Sequence, residues 1–572
     1  MSVTSRISIY GGVPTLFVND EPQLGLAYIT YYEERNHYRD FANAGYRLFT
    51  FTTFFGDQTI NESSWPSPMG KALFPSKGTF HPAPFEECVS HILEACPDAM
   101  IFPRVNMSLP AWWELENPDE LNDTGTTSHP EKRRACFSSR KWLAQTEAFL
   151  RQFIRHVEAS DYKDHIIAYQ LASGGTEEWF SFDGKGSQGP ASRKLFAERG
   201  GNPDDLPAYH QFLSDINAEN IIHLANVAKE ETQHRLAIGI FYGYTLECPY
   251  WQAPHHALGK ILSSANIDFL CSPASYRDTR APGQDWCCIT VLDSLKLHGK
   301  AYFTELDIRT HLTKFMKDCR PNACPPGTYE QPIWLGPKDP KVTEWILSAV
   351  IGRQLTHGTN SWWFDMWGGW YDSPEMMKEL TELRKIADEA QHLPKRESIA
   401  EVGVFVDEAA YALLEDGAKS GPVCYRSRKA LGLAGAMYDI FLASDFMDVR
   451  SRYKLCVFLV PIMTDTVQAA IDICQAERIP FIIHDTPEQD LTIARLRDAY
   501  TAAGVHIWCD SDDSVNANEN FLVIHTASAG HKTIRLPRPR TIRPLLPIAV
   551  EFTSDTIELD LQQFETRLFR LI

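Results

Sequence analysis

Eight short and nearly continuous apolar runs alternate with longer helical stretches between Gly25 and Pro394. They read GLAYIT (25–30), YRLFTFTT (46–53), AMIFPRV (99–105), HIIAYQL (165–171), LAIGIFYGY (236–244), IDFLCSP (267–273), KAYFTEL (300–306) and NSWWFDM (360–366). A strand that is apolar on both sides needs cover on both faces, as parallel strands have, and cannot lie on a sheet with one wet face. Between the runs stand helical segments such as WLAQTEAFLRQFIRHVEA and VTEWILSAVIGRQL. Eight such strand–helix units predict an α/β chain that closes into a (β/α)8 barrel, here over residues 1–395. The spacer between the second and third runs, 55–84, is too long for an ordinary βα loop, and a loop of that kind shapes a substrate cleft.

After HLPKRES the pattern restarts. AEVGVFVDEAAYALL, YKLCVFLVPIM and IPFIIHDT read as strands, with helices around Lys429 to Phe441 and Thr466 to Ala476, so a smaller α/β domain is expected over 398–510. Residues 516–572 alternate apolar and polar positions between turn signals, as in a small antiparallel β domain.

A net charge of −19 argues against a nucleic-acid or anionic membrane partner, since both require basic surface. The 13 cysteines form no regular framework, and MSVTSRISIYGG lacks a basic segment followed by an apolar one. Reduced thiols and a cytoplasmic location are the expectation. No apolar run of about 18 residues is present, so no membrane span is expected.

The chemistry concentrates where the strands end. Working groups of a (β/α)8 barrel stand at the carboxyl ends of its strands. The fourth run ends in GGTEEW, with Glu177 and Glu178, and the seventh ends at Glu305. Strands four and seven lie across the barrel mouth, so carboxylates there face one bond from two sides. Glycoside cleavage uses that pairing: one group protonates the leaving oxygen while the other attacks or supports the anomeric carbon. A gap of about 5 to 5.5 Å goes with retention, a wider one with inversion. Neighbours on an extended chain point to opposite sides, so only one of Glu177 and Glu178 is the acid; Glu178, directly before Trp179, is the expected one.

Aromatic side chains accompany the carboxylates. The eighth run continues as NSWWFDMWGGWYD, with Trp362, Trp367 and Trp370 beside Asp365. Flat rings with nearby polar groups stack on and hydrogen-bond to a sugar at once, although the same tryptophans also suit a barrel interior. Arg104 and Asn106 on the third run, with Trp112 and Trp113 after it, are candidate walls, and Arg104 is a candidate partner for Glu177 or Glu305. Tyr244 on the fifth run and Tyr276 after the sixth are placed to touch a carboxylate or simply to pack. No metal site or cofactor is expected: His255 and His256 are adjacent, Cys287 and Cys288 are likewise a poor chelate, and Cys319 with Cys324 lacks a second ligand pair. There is neither a phosphate loop nor a GxSxG elbow.

These features together resemble a clan A glycoside hydrolase, and most of all the β-galactosidases of glycoside hydrolase family 42, over nearly the whole chain. PAWWELENPDEL after the third run is similar to that family's proline, tryptophan and acidic-helix segment. The resemblance implies Glu178 as acid/base, Glu305 as nucleophile, retention of configuration, and a trimer built through the middle domain. Glu177 stands where the clan has Asn, and the family's zinc-binding cysteine cluster is missing. β-Galactoside and β-mannoside substrates are open on this reading, as are endo-glycanase or transglycosylase action and a non-catalytic carbohydrate-binding or assembly role.

Overall fold

A computed structural model of the chain describes residues 2–57, 70–126, 131–321, 326–414 and 420–572. All eight apolar runs become parallel strands: Leu26–Ile29, a second in two pieces (Leu48–Phe49 and Thr52–Phe54), a third in two pieces (Met100–Ile101 and Arg104–Asn106), Ala168–Ala172, Ala237–Phe241, Phe269–Pro273, Ala301–Leu306 and Asn360–Phe364. Each pairs with the next in order, and the eighth pairs with the first, so the sheet closes on itself. The breaks do not open the ladder, because Phe102 N–H donates to Phe49 O at 3.1 Å and Arg104 N–H to Phe51 O at 2.9 Å. Pro103, which has no N–H, explains the interruption of the third strand.

The barrel is filled rather than hollow. Phe102, Phe269, Phe303 and Trp362 pack with ring centroids 5.1 to 6.2 Å apart, and burying each contributes about 1.5 to 3 kcal/mol. A β-carbon on Gly239 would lie 2.0 Å from the Phe269 ring, so only glycine lets that ring in. At the amino end of the strands, a hairpin (Ser5–Tyr10 and Val13–Val18) closes the floor, where Ser5 Oγ accepts from Ala237 N–H at 2.8 Å.

The outer helices follow from local signals. Arg140–Glu158 starts where Ser139 Oγ accepts from Trp142 N–H, a cap worth about 1 kcal/mol. It buries Trp142, Phe149, Leu150, Phe153, Ile154 and Val157 at helical spacing. Pro340–His357 carries an Asp339 cap and Pro at its first position, and ends at Gly358 in the left-handed region (φ 63°).

Beyond the barrel, a four-stranded parallel sheet runs in the order 438–442, 402–406, 455–459, 481–484. The strand Tyr438–Leu442 corrects the expectation of a helix continuing to Phe441. The helix there stops at Leu433, Gly435 takes a left-handed turn (φ 84°), and the β-rich YDIFL pairs with Val402–Val406. Barrel groups hold this edge strand, since Asp293 accepts from Ile440 N–H at 2.8 Å and Ser294 Oγ from Leu442 N–H at 2.7 Å. Residues 409–413, read as strand, instead belong to the 3-10 helix Glu408–Leu413. The last part of the chain is a five-stranded antiparallel sheet dominated by the long hairpin Gly530–Leu546 with Phe552–Leu561. No described helix is long and apolar enough to cross a membrane.

Candidate active site

Arg104 organises the mouth of the barrel. It is buried, and its guanidinium lies 4.6 Å from the Phe241 ring centroid and 5.6 Å from that of Trp362, on top of the aromatic plug. Its Nη2 donates to Glu305 Oε2 at 2.7 Å and its Nη1 to Glu177 Oε2 at 3.2 Å. One cation therefore bridges carboxylates from the fourth and seventh strands. Trp362 Nε1 adds a second donor to Glu305 Oε2 at 3.2 Å. Glu177 also accepts from Tyr31 Oη at 2.8 Å and Asn106 Nδ2 at 3.3 Å. Burial pushes the Glu177 carboxyl up from its usual range, and Arg104 opposes this.

The turn after the fourth strand separates the adjacent glutamates. Gly174 (φ 77°), Thr176 (φ 55°), Glu177 (φ 70°) and Trp179 (φ 60°) all sit in the left-handed region, which costs non-glycine residues about 1 to 3 kcal/mol each. A β-carbon on Gly174 would meet Phe180 O at 2.2 Å. Gly175 N–H donates to Phe180 O and Trp179 N–H to Ser173 O, each at 2.8 Å, and the buried Trp179 ring donates to Leu171 O at 3.1 Å. Pinned in this way, Glu177 turns inward to Arg104 while Glu178 remains half-buried at the mouth.

Glu178 Oε1 accepts from Tyr244 Oη and its Oε2 from Thr176 Oγ1, both at 2.5 Å. Burial, then the negative charge of Glu305, pushes its carboxyl up to about 7, against the two hydroxyl donors. A carboxyl that holds its proton near neutral pH, close to a second carboxylate, is the arrangement of a general acid.

Among the remaining expected site residues, Tyr276 donates to Asp307 Oδ2 at 2.7 Å and lies near enough to Glu305 and Glu178 for their charges to act on it. Asp365 is buried and accepts from Tyr28 Oη, Gly369 N–H and Trp370 N–H, so it shapes the turn after the eighth strand instead of meeting a ligand. Trp367 and Trp370 are fully buried; Trp367 donates to Lys314 O at 2.9 Å, and the two rings pack edge to face. They back the mouth and present no open face to a sugar. Trp112 donates to Phe74 O at 3.0 Å and packs against Phe149 of an outer helix, and Trp113 is buried.

Sequence reasoning missed Tyr31, Thr176, Asp307, Arg280 and Arg309. Asp307 and Arg309 carried a readable signal, since 305, 307 and 309 recur at the two-residue spacing that places side chains on one side of an extended segment. Tyr31 follows the first strand directly, where mouth residues belong. Thr176 and Arg280 gave no such signal, because turns place them. Of the residues weighed as metal ligands, His255 is stacked on Tyr242 and Phe180 and burial pushes its imidazole down to about 3, while Cys324 lies outside the described residues. No group of three or more His, Cys, Asp or Glu is gathered for a metal ion among the described residues.

The closed barrel, the smaller parallel sheet and the terminal antiparallel sheet together make up a fold similar to that of solved GH42 β-galactosidases. The β-galactosidase from Bacillus circulans sp. alkalophilus superposes with a TM-score of 0.63 at 12% identity, covering 97% of this chain and 100% of that one. Gan42B, a GH42 β-galactosidase from G. stearothermophilus, gives 0.63 at 12% identity over 96% and 98%. An exo-carrageenase GH42 from Bacteroides ovatus gives 0.58 at 12% identity, covering all of this chain and 86% of that one. No family model matches the sequence, and no curated protein matches it by sequence. At such identities the likeness is one of fold, and it extends along nearly the whole chain.

Proposed function

We propose that the protein is a retaining, exo-acting β-glycosidase, with Glu178 as acid/base and Glu305 as nucleophile. The observation that carries this reading is a half-buried carboxyl raised to about 7 in the field of a second carboxylate, which Arg104 and Trp362 hold in place. Protonated Glu178 gives its proton to the glycosidic oxygen as Glu305 attacks the anomeric carbon, forming a glycosyl ester and releasing the aglycone. Esterification removes the charge of Glu305. The Glu305 charge that, after burial, helped raise the Glu178 pKa is then gone; the pKa falls, and Glu178 stands ionised, able to take a proton from the incoming water.

The fully buried Trp362, Trp363, Trp367 and Trp370 favour exo action, since an endo-acting enzyme needs an open groove of exposed rings. A β-galactoside is the first substrate to test, given the fold. A panel of aryl β-glycosides, with NMR of the first-formed anomer, tests the reading. Release of the β-anomer is expected; first release of the α-anomer would overturn retention, and no turnover across the panel would overturn the function.

A further inference from the structure

Next to the carboxylate pair lies a second charged cluster that the glycosidase mechanism leaves unused. Asp307, two residues beyond Glu305 and fully buried, accepts from Tyr276 Oη at 2.7 Å, from Arg309 Nη1 at 2.9 Å and from Arg280 Nη2. Arg280 and Arg309 are 7% and 6% exposed, so two buried guanidinium groups share one carboxylate. An excess positive charge in a desolvated site is costly unless an anion completes it.

Arg309 carries the donors that such an anion would meet. Arg309 spends Nη1 on Asp307, while its Nε and Nη2 have no hydrogen-bond partner among the described residues. Those two N–H groups lie on one edge of the planar guanidinium, the fork that takes two oxygens of a single carboxylate or sulfate. Buried orphan donors are rare, and a matched pair on one edge calls for an acceptor with two oxygens. Trp334, 4.5 Å from the Arg309 guanidinium and partly exposed, forms the outer wall, and Trp370, 5.7 Å away, the inner one. Gly336 allows this wall to close: a β-carbon there would lie 2.2 Å from Thr310 O and 2.4 Å from Arg309 O. The cluster adjoins the reacting groups, because Tyr276 feels the charges of Glu305 and Glu178, and Arg280 that of Glu305.

We propose that Arg309, backed by Arg280, is an anion subsite that receives the carboxylate or sulfate ester of an acidic sugar bound at the barrel mouth. This rests on the glycosidase reading for the sugar, and on the unpaired guanidinium edge for its charge. Burial of both arginines, with Arg280 pushed down to about 9 by desolvation and by Arg309, agrees with a site short of negative charge.

Calorimetric binding of galacturonate, galactose 6-sulfate and galactose to the full chain tests the subsite without requiring turnover. One of the two acidic sugars is expected to bind about ten- to a hundredfold more tightly than galactose. A carboxylate preference identifies a uronic acid, and a sulfate preference a sulfated sugar. In Arg309→Met the preference is expected to disappear. Arg309→Lys, which keeps the charge without the fork, is expected to retain only part of it, and serves if the methionine variant does not fold. Equal affinity for all three sugars, or a preference untouched in both variants, would overturn the proposal and assign the guanidinium edge to an ordered water only. Hydrolysis of neutral glycosides without acidic-sugar preference defeats the subsite alone; acidic-sugar binding without any hydrolysis defeats the glycosidase reading alone.

Discussion

Tyr244 donates its hydroxyl hydrogen to Glu178 Oε1 across 2.5 Å, which favours the ionised carboxylate and holds its pKa below where burial alone would put it. The Tyr244→Phe variant loses that donor. Wild-type kcat/KM is expected to fall as pH rises through about 7, where Glu178 gives up its proton. In the variant this alkaline limb should move upward by about half to one pH unit, the scale of one hydrogen bond to a charged group. A pH–rate profile checks it, and an unmoved limb would remove Glu178 from the acid role.

Arg104 is the shared partner of Glu177 and Glu305, so its removal leaves two buried carboxylates facing each other. Arg104→Met should destabilise the protein by about 3 to 5 kcal/mol, the cost of breaking a buried ion pair from one side. Adding Glu177→Gln removes one of the stranded charges and should restore part of the loss. Thermal unfolding of the single and double variants decides it: a double variant less stable than Arg104→Met would contradict this charge arrangement.

Glu178 also links stability to pH. Its folded pKa of about 7 lies above the ordinary 4.5, so the folded state binds the proton more tightly. The stability drawn from that proton is complete below pH 4.5 and is lost as pH rises through 7. Glu178→Gln carries no charge at any pH, and should therefore melt higher than wild type at pH 8, with the difference shrinking toward pH 5. Melting curves at both pH values measure it; a constant difference would mean that the carboxyl is not strained by its surroundings.

Glu305→Gln keeps an oxygen for Arg104 Nη2 and Trp362 Nε1 but removes the nucleophile. Loss of kcat by a factor on the order of 10⁴ or more is expected, with the tryptophan fluorescence spectrum of the folded protein retained. Wild-type turnover in this variant would sink the assignment.

Periodicity and apolar continuity made the barrel readable, because a parallel strand covered on both faces has few other ways to be written. The middle sheet was read less well. Tyr438–Leu442 follows a helix within one apolar stretch, and only Gly435 marks the change, so the pattern of a buried helix and that of a buried strand run together. The tryptophans after the eighth strand were ambiguous for a related reason: composition indicates large rings but not whether another element lies over them. Trp367 is covered by Trp334 and Tyr329, contributed by a loop more than thirty residues earlier.

The sequence by itself determined the eight strands, their order, and the carboxylates at the ends of the fourth and seventh. It also placed an unusual Glu177 beside Glu178. Tertiary structure alone decided what that pair does. Left-handed residues at 176, 177 and 179 turn one glutamate to Arg104 and leave the other at the mouth, a choice that depends on backbone angles no residue pattern records. The same holds for Arg309, around which Asp307, Arg280 and Trp334, from separate stretches of the chain, meet only on folding. Strand formation is local and repeats along the chain; charge balance is a sum over neighbours brought together only by folding.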